Sequence, residues 1–265
     1  MQLKNFSNST IESYVSAVSS LSLHYNTPPN KLSIDQIKDY LVFCINEKHV
    51  SVSFINQTIS ALKILFVNVL GREWEKIKLP RPRREHKLPV VLSLEEIRRL
   101  LDTSTNMKHR TILTVAYTGG LRINEVSCLR VRDIDSSRMQ IRIEQGKGKK
   151  DRDTILASCA LTLLREYWKR YRPVDTLFYG YNKNKPISTS TLNNICKDNL
   201  AKAGINKKAS FHTLRHSFAT HLLEQGTNIK IIQKLMGHNS LRTTSVYMHL
   251  QNFEPGKLIS PLDKQ

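Results

Sequence analysis

Hydrophobic positions recur at helical spacing in three runs across the first 84 residues. Ile11, Tyr14, Val18, Leu21 and Tyr25 make the first stripe, with Ser9 and Glu12 at the spacing of a capping box and Pro28 and Pro29 ending the helix. Ile34, Ile37, Leu41 and Ile45 make the second, opened by Ser33 and Gln36. Ile55, Ile59, Leu62, Phe66 and Val69 make the third, with Gly71 as its stop. The pattern predicts a small helical bundle over residues 1–84, its outer faces polar. From Lys76 to Lys87 the chain reads KIKLPRPRREHK, and two prolines among basic residues build no core. A basic linker is expected over about 76–92, its last part (85–92) leading into a second domain, 93–265.

The period changes within that second domain. Ser93 and Glu96 form another capping box ahead of Leu94, Ile97, Leu100 and Leu101, and a buried helix runs from about Met107 to Tyr117 before Thr118–Gly120 breaks it. The following helix carries Arg122 in its first turn. Met139 to Glu144 alternates apolar and polar, with Ile141 and Ile143 on one face, and Arg152 to Leu156 is a second strand. QGKGKKD between them reads as a hairpin loop. Helices are then predicted from Leu161 to Arg172, from Thr189 to Ala203, from about Thr213 to Gly226, and from Ile229 to Gly237. Ser240 caps a last one with Tyr247 near its middle. The tail after Leu250 holds Pro255, Gly256 and Pro261, so no long helix is expected there. Its Leu258, Ile259 and Leu262 are free to dock on this domain or on a neighbouring copy. The fold class is mainly α with a small antiparallel β-sheet.

Charge narrows the partner. Lys and Arg number 41 against 22 Asp and Glu, a net charge of +19, more than solubility requires and suited to a polyanion. No long apolar span or signal-peptide core is evident at the N-terminus, so nucleic acid is expected rather than a membrane, in the cytoplasm. Cys44, Cys128, Cys159 and Cys196 are scattered without C-x-x-C spacing and read as reduced structural thiols.

The chemistry concentrates between Ser210 and Leu250. His212 and Arg215 open one helix, His238 follows Gly237, and Tyr247 lies nine residues beyond that histidine. Cationic groups, imidazoles and a phenol in that order suggest a phosphate site. Arg122 is grouped with them: a cation at a helix start opposes the dipole and is better explained by an anion held jointly by the guanidinium and the free N–H groups than by the alternative, a surface arginine pointing to water. Glu125, one turn on, is placed to fix it by an ion pair. Lys147 at the hairpin tip suits a cation that swings into an anionic site, and equally an ordinary exposed turn; Lys149 and Lys150 compete with it. His212 and His216, spaced i, i+4, would suit a metal, but Thr213 stands where a zinc protease has its Glu, and no acidic third ligand is near. His216 and His221 are therefore read as core or backbone-facing. IIQKLMGHNSLRTTSVY also resembles a helix-turn-helix reader, a class with no use for Arg122, His212 and Arg215.

TGGLRINEV, the QGKGKKDR hairpin, HTLRHSFATHLL and LMGHNSLRTTSVY, in this order and at these intervals, closely resemble the tyrosine recombinases, the phage-integrase and Xer group; the match spans about Leu92 to Leu250. The resemblance implies a SAM-like core-binding bundle followed by an α+β catalytic domain. It further implies site-specific cutting and rejoining of DNA through a 3′-phosphotyrosyl intermediate, in integration, excision or resolution of a mobile element. Tyr247 would then be the nucleophile, Arg122 and Arg215 the grip on the non-bridging oxygens, His212 the proton-handling histidine, Lys147 the general acid and His238 a further phosphate donor. No metal, ATP or other cofactor is expected. The partners implied are a double-stranded DNA recombination site and three further copies of the chain, a homotetramer on two sites that is monomeric or weakly dimeric when free, in a bacterial cytoplasm at the nucleoid. A catalytically inactive or regulatory DNA-binding relative is the alternative. The glycine pair before Leu121, where a single glycine is commoner, and the irregular tail are the departures, and the tail puts the mode of subunit exchange in doubt.

Overall fold

The structure, a computed structural model, describes residues 6–73, 79–82, 88–144 and 151–249. The hairpin tip with Lys147, Lys149 and Lys150, much of the linker and the tail from 250 lie outside the described residues. Two compact units divide the chain, residues 1–87 and 88–265.

In the first unit, α1 (Asn8–Tyr25), α2 (Ile34–Asn46) and α3 (Val52–Lys63) bundle around Leu21, Ile37, Tyr40, Ile55, Ile59, Leu62 and Phe66. Ser33 and Gln36 form the expected capping box on α2. The box expected at Ser9 and Glu12 does not form: Ser7 is the extended residue ahead of α1 and accepts from the Thr10 N–H, which leaves Ser9 and Glu12 inside the helix. α3 runs on as a π-helical turn over Ile64–Val69 before Gly71 reverses the chain in the left-handed region. By length and composition Val52–Val69 is apolar enough to cross a membrane, yet its inward side is the core of this bundle.

The second unit begins with α4 (Leu94–Asp102), α5 (Met107–Thr118) and α6 (Ile123–Cys128). A three-stranded antiparallel sheet follows, in the order β1 (Ile134–Asp135), β2 (Gln140–Ile143), β3 (Arg152–Ile155). β1, too short to show a period, is an addition to the two predicted strands. Ile141 and Ile143 face the core and Gln140 and Arg142 face outward, as the alternation requires. α7 (Ser158–Tyr171), α8 (Thr189–Lys202) and α9 (Phe211–Glu224) complete the main core with Leu100, Ile112, Val115, Tyr167, Phe178 and Phe211.

Beyond α9 come α10 (Ile229–Met236) and α11 (Leu241–Thr244). α11 is a single turn, so Tyr247 sits in the 3-10 segment Ser245–His249 and not in the middle of a regular helix as expected. A smaller apolar cluster of Phe218, Ala219, Leu223, Ile232, Met236 and Tyr247 binds this end of the chain to α9. Tyr247 is thus drawn in by burial, which holds its hydroxyl beside α9 rather than in water.

Candidate active site

The site is assembled where α5 gives way to α6, where α9 begins and where α10 ends. Gly120 turns the chain with φ +58°, and its carbonyl accepts from Arg215 Nη1 at 2.6 Å. Only glycine fits there: an added Cβ would lie 2.3 Å from the Phe218 ring and would carry the cost of a positive φ. Arg215 Nη2 donates to the Met236 carbonyl and meets His238 Nε2 at 3.3 Å. With 1% of its surface exposed, Arg215 is a buried cation fixed by two carbonyls from separate segments.

Arg122 precedes α6 and points its guanidinium at the same place. Nη1 donates to Glu125 Oε1 at 2.8 Å and Nη2 to the Gly237 carbonyl at 3.2 Å, so the expected ion pair with Glu125 is present. The Arg122 backbone N–H also donates to Glu125, at 2.7 Å.

Arg152 on β3 was not anticipated. It chelates Glu125 at 2.7 and 2.8 Å and reaches the Leu235 carbonyl with Nε at 2.8 Å. One carboxylate thereby ties the α6 start to the strand that follows the hairpin. Burial alone would raise the Glu125 pKa, but the hydrogen bonds and charge of Arg152, then those of Arg122, overcome it and bring the group down to about 2. Arg215 Nη1 is 3.8 Å from the same carboxylate. Three guanidiniums around one carboxylate leave a net positive field.

The imidazoles respond to that field. Burial first, then Arg215, Arg122 and Arg152, lower the His238 pKa to about 3. His238 is therefore neutral near pH 7, with Nδ1 3.0 Å from Thr244 Oγ1 and its ring stacked at 6.4 Å from that of Tyr247. His212 is exposed at the start of α9, its pKa lowered by partial desolvation and by Arg215 and Arg122. Tyr247, 3% exposed, has its phenol raised by burial, while Arg215 and Arg122 act in the lowering direction.

His216 corrects the sequence reading. Expected to face the core or backbone, it places Nδ1 3.0 Å from Tyr247 Oη, with its ring edge-on to His212 at 4.6 Å. The i, i+4 spacing that brought His212 and His216 to notice as a metal pair was the available signal, since it puts both on one face of α9. His221 lies elsewhere, its Nδ1 2.9 Å from Tyr117 Oη. Five of the six residues expected at the site thus have described positions: Arg122, Arg215, His238 and Tyr247 are joined through contacts, and His212 stands at their exposed edge beside His216.

Comparison with known proteins identifies the family. The family model described as "Phage integrase family" matches residues 91–254, and "Phage integrase, N-terminal SAM-like domain" matches residues 1–76. A Sinorhizobium fredii (strain NBRC 101917 / NGR234) protein named as an integrase/recombinase, y4qK, is 39% identical over 99% of this chain and 86% of its own length. Tyrosine recombinase XerA of Pyrococcus furiosus is 36% identical over 77% of this chain and 72% of its own. The Tn1549 transposon integrase, solved with transposon right end DNA, has the same fold at 17% identity, with TM-score 0.73 over 92% of this chain and 90% of that one. The chain belongs to the phage integrase family, the tyrosine recombinases.

Proposed function

We propose that Tyr247 Oη attacks the phosphorus of a DNA backbone phosphodiester in line, displacing the 5′-oxygen and leaving a 3′-phosphotyrosyl link that a second 5′-hydroxyl later reverses. The enzyme breaks and rejoins DNA in site-specific recombination, with double-stranded DNA as its partner. The observation that carries this reading is the buried phenol of Tyr247 held beside His238, which itself meets the buried guanidinium of Arg215 at 3.3 Å. A DNA-binding relative without catalysis has no use for a buried phenol among guanidiniums.

Charge accumulates on the non-bridging oxygens in the pentavalent transition state. Arg122 and Arg215 are assigned to those oxygens, and each such donor is worth about 3–4 kcal/mol of barrier. His212 is assigned to proton handling and His238 to a further phosphate hydrogen bond. Lys147, outside the described residues, is assigned as general acid for the leaving 5′-oxygen on the strength of the hairpin motif, with Lys149 and Lys150 as rivals. The cations already neutralise the phosphate and the covalent link conserves the phosphodiester energy, so the reaction needs neither metal nor ATP. The working assembly is a homotetramer on two DNA sites, monomeric or weakly dimeric when free, in a bacterial cytoplasm and serving a mobile element.

Tyr247→Phe tests the assignment: it should bind its DNA site and form no covalent adduct. A protein-DNA species from this variant that survives denaturing electrophoresis would overturn it.

A further inference from the structure

His216 has no place in the roles assigned so far, yet it makes the hydrogen bond to the phenolic oxygen, at 3.0 Å. His212 is exposed beside it, its ring 4.6 Å from that of His216 in an edge-to-face arrangement. Exposure falls along the series from His212 through His216 to Tyr247, and it is His216 that meets the phenol. An imidazole within hydrogen-bond reach of the atom that must lose a proton meets the geometric requirement for a general base.

We infer that His216, not His212, takes the proton of Tyr247 as the phenolic oxygen attacks phosphorus, which leaves His212 to act at the phosphate. The inference rests on Tyr247 being the nucleophile. The step balances as follows. The Oη–H bond breaks and its proton passes to Nδ1 of His216, whose other nitrogen carries the ring hydrogen. The Oη–P bond forms, the bond from phosphorus to the 5′-oxygen breaks, and that oxygen takes a proton from the general acid. In rejoining, an incoming 5′-hydroxyl passes its proton to the now deprotonated general acid and its oxygen bonds to phosphorus, the Oη–P bond breaks, and the proton on His216 returns to Oη.

The surroundings leave the ring unprotonated before DNA is bound. Burial, then His212 and Arg215, hold the His216 pKa at about 4, so its ring is neutral near pH 7, and in the tautomer with the hydrogen on Nε2 it is Nδ1 that offers a lone pair to the phenol. The groups around the pair are His212 on the same helix, Arg215 one residue before it, and His238 stacked on the Tyr247 ring, with Arg122 acting on the phenol from the α6 start. A bound phosphodiester brings a negative charge among these cations and moves both imidazoles toward accepting a proton.

The test is single-turnover cleavage of a suicide DNA substrate, in an ordinary form and in a form with sulfur replacing the 5′-bridging oxygen at the scissile phosphate. The thiolate leaves without a general acid, so this substrate isolates activation of the nucleophile. His216→Gln keeps a hydrogen-bond acceptor but takes no proton. Its cleavage should fall on the order of 10²-fold or more on both substrates, and its rate should climb with pH toward the phenol pKa where the wild type is flat. Should the glutamine variant fail to fold, His216→Ala with added imidazole replaces it, and imidazole should restore cleavage. Cleavage by His216→Gln within a few-fold of wild type, or a loss fully restored by the sulfur substrate, overturns the inference. So does an unchanged pH profile, or an alanine variant that imidazole fails to rescue. Tyr247→Phe in the same assay separates the two readings, because an adduct from it removes the nucleophile itself, whereas no adduct from it beside a normal His216→Gln removes only the base.

Discussion

The Glu125 carboxylate is chelated by Arg152 through two hydrogen bonds, 2.7 and 2.8 Å long, between side chains that are 7% and 8% exposed. Since Glu125 also holds Arg122 at 2.8 Å, a strand residue not assigned to the phosphate bears on one of the two guanidiniums proposed to grip it, through a shared partner.

Glu125→Gln therefore removes a negative charge that Arg122, Arg152 and Arg215 share. Breaking a buried pair from one side costs about 3–5 kcal/mol, and an isosteric amide that keeps one acceptor should fall at about 3 kcal/mol. At roughly 2–4 °C per kcal/mol for a unit of this size, the melting temperature should drop by about 6–12 °C. Cleavage should fall with it. A thermal melt indistinguishable from wild type would show that the three cations need no common counter-ion.

Gly120→Ala should be costly for a different reason. The alanine would have to hold φ +58° and push its methyl into Phe218, which packs in the cluster that contains Tyr247. Left-handed backbone strain of about 1–3 kcal/mol and overpacking of about 1–3 kcal/mol act together. Denaturant unfolding should show a loss of about 2–6 kcal/mol, and a midpoint equal to that of wild type would mean that Phe218 moves aside freely.

Acid should loosen the fold through the site. His216 and His238 have folded pKa values of about 4 and 3, below the 6.5 of a free imidazole, so between those limits the unfolded chain binds more protons. Glu125, at about 2 against 4.5, acts in the same direction at lower pH. Stability from the two histidines is complete above about pH 6.5 and is lost as the pH falls toward 4 and 3; the carboxylate adds its loss below about 4.5. Melting temperatures measured from pH 7.5 down to 5 should decline, and His238→Gln should make the decline shallower. An unchanged slope in that variant would remove His238 from the account.

Arg122→Ala should abolish cleavage and leave salt-sensitive DNA binding largely in place, since one cation among many contributes only about one unit to the slope of log affinity against log salt. Filter binding across a salt series, beside a cleavage assay, checks both halves. Near-normal strand exchange by the variant would dismiss the grip on the phosphate.

Pattern and spacing alone determined much of this protein. Ser33 with Gln36 and Ser93 with Glu96 mark helix starts because a cap is a contact between residues three apart, and Ile141 and Ile143 mark a half-buried strand because side chains alternate. The motif order brought Arg122, His212, Arg215, His238 and Tyr247 into one list. Local pattern misled at Ser9, where backbone direction at Ser7 decided the cap, and at Tyr247, whose helix gives way to a 3-10 turn after Thr244. What only the tertiary structure decided is which groups share an atom: Arg152 on the carboxylate of Glu125, and His216 on the hydroxyl of Tyr247. Those contacts join residues 27 and 31 positions apart, and no periodicity within a helix or strand reaches so far. The second exists because burial of the small cluster around Phe218 folds the 3-10 turn back against α9, a choice made by packing and not by any local preference of the chain.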